Sequence, residues 1–118
     1  MKRTVQINGR EIGDGCPPYV IAELSANHNR DIGRALQIIQ AAKDAGADAV
    51  KLQTYTADTL TVDCDDEPFR IKGTLWEGRN LYDLYAEAAT PWEWQPRLKR
   101  IAEDLGLILF STAFDATA

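Results

Sequence analysis

Apolar positions along this chain change period several times, and each change marks a new element. Val5 and Ile7 alternate with polar neighbours up to Asn8-Gly9, and Glu11-Ile12 follow. Asn-Gly between two short alternating runs predicts a β-hairpin over 1–14, because both residues tolerate positive φ. Gly13 through Pro18 then reads as a loop rich in Gly and Pro. The near-continuous apolar run over 19–24 predicts a strand covered on both faces, as in a parallel sheet. From Asp31 the period becomes helical: Ile32, Ala35, Leu36, Ile39 and Ala42 share one face, Asp31 is placed to cap the start and Gly46 marks the end. A second apolar strand is predicted over 48–53. Two such strands joined by one helix form a parallel crossover that is right-handed in nearly all cases.

A polar stretch over 54–80 comes next, and a loop of that length is usually functional or hides structure. The run 81–88 predicts a short helix. Thr90-Pro91-Trp92-Glu93 predicts a helix start with Thr90 as N-cap, Pro91 in the first position and Glu93 completing a capping box. Trp94, Leu98, Ile101, Ala102 and Leu105 supply its apolar stripe, and Gly106 ends it. A third buried strand is predicted over 107–111. The fold class is therefore α/β, with a hairpin over 1–14 leading into β/α units over 18–118.

The 118 residues suit one domain, and 45% hydrophobic with 26% charged residues is a globular composition. A formal net charge of -5 gives a nucleic-acid partner no electrostatic support, although a locally basic pocket still admits an anionic substrate. No apolar run is long enough to span a bilayer, and Met1-Lys2-Arg3 leads into alternation rather than a signal-peptide core, so no membrane role is expected. Cys16 and Cys64 have neither metal nor redox spacing and read as reduced thiols of a cytoplasmic protein, a disulfide being the alternative.

The candidate chemistry lies at strand ends. Glu23, Lys51, Gln53, Ser111 and Thr112 all sit at or near the carboxyl end of a predicted strand. In α/β barrels and open α/β sheets such ends assemble the active site. A Lys with neutral donors suits phosphate or carboxylate, and a fixed Glu serves as acid, base or electrostatic stabiliser. The structural alternative is a buried Glu23–Lys51 ion pair that holds register. His28, the sole histidine, reads equally as a member of a loop hydrogen-bond network, since one ligand does not make a metal site. Asp63, Asp65, Asp66 and Glu67 lack EF-hand spacing and read as a solvated loop. Trp92, Trp94, Tyr82 and Tyr85 read as packing residues on helices.

Three ordered blocks then carry a resemblance. Ile21-Ala22-Glu23 with Asn27-His28-Asn29, Ala45-Gly46-Ala47-Asp48-Ala49-Val50-Lys51-Leu52-Gln53-Thr54, and Phe110-Ser111-Thr112 with Phe114-Asp115 resemble the amino-terminal part of the sialic acid synthase family. Phe69-Arg70-Ile71-Lys72, Leu75-Trp76, Leu81-Tyr82-Asp83-Leu84-Tyr85 and Thr90-Pro91-Trp92-Glu93-Trp94 resemble the branch of that family that makes pseudaminic acid. Ala113 departs from the pattern, which has Pro after Ser-Thr.

The resemblance implies the first part of a (β/α)8 TIM barrel, the remaining barrel and an antifreeze-like domain lying beyond this chain, in a parent that forms a domain-swapped homodimer. It implies a synthase that condenses phosphoenolpyruvate with a diacetamido-dideoxy sugar and releases phosphate. It further implies a divalent metal, manganese, polarising the sugar aldehyde, with metal ligands outside this chain. Residue by residue, Lys51, Gln53 and Thr112 match positions around phosphoenolpyruvate, and Ser111 belongs to the same strand-end motif. Glu23 matches the glutamate near the reacting carbons, and Asn27 and His28 match the motif in a supporting role at the substrate site. Two alternatives stand beside this reading: an N-acetylneuraminate or legionaminate synthase fragment, and a non-catalytic interaction protein derived from the barrel. A fragment of three strands is expected to be inactive alone and to associate through its open edge or sheet face.

Overall fold

The computed structural model describes residues 3–118, so the first two positions of the predicted hairpin lie outside the described residues. Strands β1 (Thr4–Ile7) and β2 (Arg10–Gly13) form the antiparallel hairpin, turning at Asn8 and Gly9, both at positive φ. Strand β3 (Ile21–Ser25), helix α1 (Ile32–Asp44) and strand β4 (Ala49–Thr54) form the crossover. Helices α2 (Ala57–Leu60), α3 (Leu81–Ala88) and α4 (Gln95–Asp104) precede strand β5 (Ile108–Ala113). β3, β4 and β5 make one parallel sheet in that order.

Local chemistry explains the helix ends. The Asp31 carboxylate accepts from the Gly33 and Arg34 amides at the start of α1. Both αβ turns close the same way: the Ala47 amide donates to the Ala42 carbonyl at 3.0 Å, and the Leu107 amide to the Ala102 carbonyl at 2.8 Å. Gly46 and Gly106, at φ +84° and +73°, supply the left-handed residue those Schellman turns require.

The core lies on one side of the sheet. Leu24, Val50 and Leu52 meet Ala35 and Ile39 of α1 and Leu98 and Ala102 of α4, all fully buried. Burial of each large aliphatic side chain contributes about 1.5–3 kcal/mol. The other side of the sheet is open, and this corrects the expectation of strands covered on both faces. Ile21 is 43% exposed and Phe110 39%, because helices pack only against the face of Val50 and Leu52.

Two further expectations change. The stretch 54–80 is not one loop: it contains α2, a 3₁₀ turn at Glu67–Phe69 and an antiparallel bridge between Arg70 and Asn80. Thr90 does not cap the following helix, which opens with a 3₁₀ turn at Trp92–Trp94. Its hydroxyl is engaged by His28 instead.

An ion pair fixes the hairpin below the sheet. Arg10 pairs with Asp48 and also donates to the Pro18 carbonyl, while the second Asp48 oxygen accepts from the Val20 amide. The hairpin is thereby tied to the amino ends of β3 and β4, opposite the strand tips that carry the candidate chemistry. Among the described residues no helix is long and apolar enough to cross a membrane.

Candidate functional site

Parallel register decides which strand-end groups meet. Glu23, Lys51 and Phe110 lie side by side across the three strands, and Gln53 pairs with Thr112 one step further on. Paired positions in a sheet point to the same face, so Glu23, Lys51, Gln53 and Thr112 share the open face. The Lys51 ammonium and the Glu23 carboxylate form an ion pair there, with side chains 27% and 57% exposed. The structural alternative of a buried pair is therefore not what the chain forms: a pair this wet contributes at most about 1 kcal/mol.

Ser111 is on the other face. Alternation from Thr112 turns its side chain toward the helices, where its hydroxyl lies 2.6 Å from that of Thr54. Thr54, itself buried, accepts from the Gln95 amide of α4 at 2.8 Å. The three groups clamp β4 and β5 to α4 and set the position of the strand tip that carries Thr112. The residue types did not single out Thr54 or Gln95; the signal for Thr54 was its place in the alternation Val50, Leu52, Thr54.

The turn after β3 is built from local bonds. A register irregularity falls between Glu23 and Ser25, and Ser25, Asn29 and Arg30 take left-handed backbone at φ 53°, 49° and 53°. Such a conformation is uncommon for residues with a side chain and persists only where neighbours hold it. Asn27 does so by donating its side-chain amide to the Leu24 carbonyl at 3.0 Å.

His28 anchors the same turn from inside. It is fully buried, its Nδ1 accepts from the Arg30 amide at 3.0 Å, and its Nε2 lies 2.8 Å from the Thr90 hydroxyl. An accepting Nδ1 leaves the proton on Nε2, so the neutral imidazole donates to Thr90. The ring also meets Trp94 edge to face at 5.2 Å. Burial, and then the nearby Arg30 charge, lower its pKa below the ordinary 6.5. Of the two readings of His28, the geometry matches the hydrogen-bond network.

Beyond the tip of β4, Tyr55 is buried, with its ring edge-on to Tyr85 and Phe114, and burial with the neighbouring Tyr85 raises its pKa. Cys16 and Cys64 are free thiols. Among the described residues no group of three or more His, Cys, Asp or Glu is placed to hold a metal ion.

Known proteins are similar to this chain in sequence and fold. The model of the NeuB family matches residues 38–118. A pseudaminic acid synthase from Helicobacter pylori is 49% identical over 102 residues, which are 86% of this chain and 30% of that protein. An N,N'-diacetyllegionaminic acid synthase from Legionella pneumophila is 35% identical over 111 residues, 93% of this chain and 31% of that protein. The crystal structure of an N-acetylneuraminic acid synthetase from Leptospira borgpetersenii, in complex with citrate, superposes with a TM-score of 0.75 at 28% identity, over 99% of this chain and 36% of that one. The chain thus spans about three-tenths of the length of these two curated relatives.

Proposed function

The chain belongs to the NeuB family of sialic-type acid synthases, and from that premise we propose that it supplies part of the active site of a pseudaminic acid synthase. The observation that carries the reading is the in-register set Glu23, Lys51, Gln53 and Thr112 on the open face of the sheet. The substrates are phosphoenolpyruvate and a diacetamido-dideoxy sugar in its open-chain form. The greater identity to the pseudaminic acid synthase, 49% against 35% for the legionaminic one, favours that sugar over the alternatives.

In the reaction C3 of phosphoenolpyruvate bonds to the aldehyde carbon, water adds at C2, and the tetrahedral intermediate expels phosphate. Lys51 neutralises the anionic substrate, and the Gln53 amide and Thr112 hydroxyl donate to its oxygens. Glu23 lies beside Lys51, where it orients the incoming water or stabilises positive charge developing at C2. Asn27 and His28 hold the turn that follows Glu23, and Ser111 supports the strand beneath Thr112.

The three strands are the opening units of a TIM barrel in this reading, and the longer protein is a homodimer working in the cytoplasm. A divalent metal, manganese by family resemblance, belongs to the complete enzyme. The described residues offer it no ligand set, so no step is assigned to it. The family resemblance puts the metal ligands outside this chain, and on that ground the chain by itself is expected to carry out no turnover.

The test is phosphate release by the full-length protein with phosphoenolpyruvate, manganese and alternative acceptor sugars. Release with the diacetamido-dideoxy sugar, lost in Lys51→Met, is expected. Release only with N-acetylmannosamine or the legionaminate-type acceptor would replace the substrate. No release with any acceptor would favour a non-catalytic interaction protein.

A further inference from the structure

The carboxyl side of the sheet has a second feature, a recess between the turn after β3 and helix α3. Asn27 and Asn29 line one wall, Leu84 and Ala88 the other, and Trp76 from the loop before α3 closes one side. Both walls are fixed in place. Arg30 donates to the Ala86 carbonyl of α3, which ties the turn to the helix, and His28 anchors the turn to Thr90. Trp76 is held in a turn in which the Arg79 amide donates to its carbonyl at 3.1 Å, and the residue is still 49% exposed.

The polar inventory of the recess is specific. Glu87 at its rim is paired with Arg79, so the acidic group is already matched. Asn27 uses one amide N–H on the Leu24 carbonyl and keeps its Oδ1. The Asn29 side chain makes no hydrogen bond within the described residues and offers both donor and acceptor. An uncharged donor–acceptor pair beside an indole and two aliphatic side chains suits a small amide that carries a methyl group.

We propose that this recess is the subsite for one acetamido group of the acceptor sugar. The methyl packs on Trp76, Leu84 and Ala88, the acetamido N–H donates to Asn27 Oδ1, and its carbonyl accepts from the Asn29 amide. Trp76 is then a residue that selects an acetamido substituent over a hydroxyl, which has neither a methyl to pack nor an amide to match. This assignment rests on the acceptor class proposed above.

The test titrates the protein with a diacetamido-dideoxy sugar and with an analogue carrying hydroxyls in place of the acetamido groups, following side-chain amide and indole signals by NMR. Saturable shifts at Asn27, Asn29 and Trp76 with the diacetamido sugar alone are expected. Trp76→Ala should weaken binding about tenfold, in line with loss of an aromatic contact. Asn29→Gly, which removes the amide and suits the left-handed backbone at φ 49°, should weaken it as well. Shifts confined to the Gln53 side-chain amide, an equal response to both sugars, or no saturable response would overturn the assignment. Phosphate release reads the reaction separately. Turnover with Trp76 signals unmoved would sink the subsite and leave the reaction, and saturable binding at Trp76 without turnover would do the opposite.

Discussion

Ser111 and Thr112 are neighbours in sequence but face opposite sides of the sheet: the Ser111 hydroxyl lies 2.6 Å from Thr54 on the helix side, and Thr112 pairs with Gln53 on the open side. Their substitutions therefore separate stability from chemistry. Ser111→Ala removes a partly buried hydrogen bond and should cost about 0.5–1.5 kcal/mol. Thr112→Val keeps the shape and should leave stability within about 0.5 kcal/mol, as exposed positions generally do. In the full-length protein the ranking reverses, with phosphate release suffering far more from Thr112→Val. Urea unfolding midpoints set beside initial rates check the pair, and equal effects on both quantities would refute the two-face arrangement.

The Glu23–Lys51 pair gives the second prediction. Both side chains are well wetted, so Lys51→Met should change unfolding free energy by no more than about 1 kcal/mol. The same substitution should abolish phosphate release, since among the described residues no other ammonium pairs with Glu23. A large stability loss with activity retained would make the pair a register lock.

His28 gives a pH dependence. The folded chain holds its imidazole neutral, with a pKa below the ordinary 6.5, so the unfolded chain binds more protons between those two values. The stability contribution is complete above pH 6.5 and is lost as the pH falls from there through the folded value, where the loss levels off. One such group gives a slope of at most about 1.4 kcal/mol per pH unit. His28→Gln should be less stable at neutral pH and lack this part of the slope. Thr90→Val strands the buried Nε2–H and should cost about 1–3 kcal/mol. Denaturant unfolding at a series of pH values checks all three.

The residues explain why some of this was legible in the sequence and some was not. Helix α1 carries its own signals, an Asp31 cap and a Gly46 stop around an apolar stripe, and structure and expectation agree closely. The hairpin turn is likewise a local matter of Asn8 and Gly9. Thr90 is different: its sequence neighbours make it an ideal cap, yet His28, 62 residues earlier in the chain, takes its hydroxyl. Only tertiary contact decides that. Ser111 shared the polar character of Thr112, whereas alternation counted from Leu109 separates them. The apolar run of β3 spoke truthfully of burial on one face, where Leu24 is buried, while Ile21 on the other stays exposed.

That second face supports the last prediction. Ile21 and Phe110 are 43% and 39% exposed on the open sheet, Val20 is 48% exposed at its border, and among the described residues β3 and β5 are both unpaired edges. Contiguous apolar surface and bare strand edges both promote association. This chain should therefore self-associate, its weight-average sedimentation coefficient rising with concentration. Charges that point out of an open face oppose such contacts, so Ile21→Lys should shift the distribution toward monomer with little change in unfolding midpoint. Loss of helical signal alongside the shift would mean the variant has unfolded, and Val20→Lys at the border then repeats the test outside the strand. A compact monomer at every concentration, before any substitution, would show that the open face does not drive association.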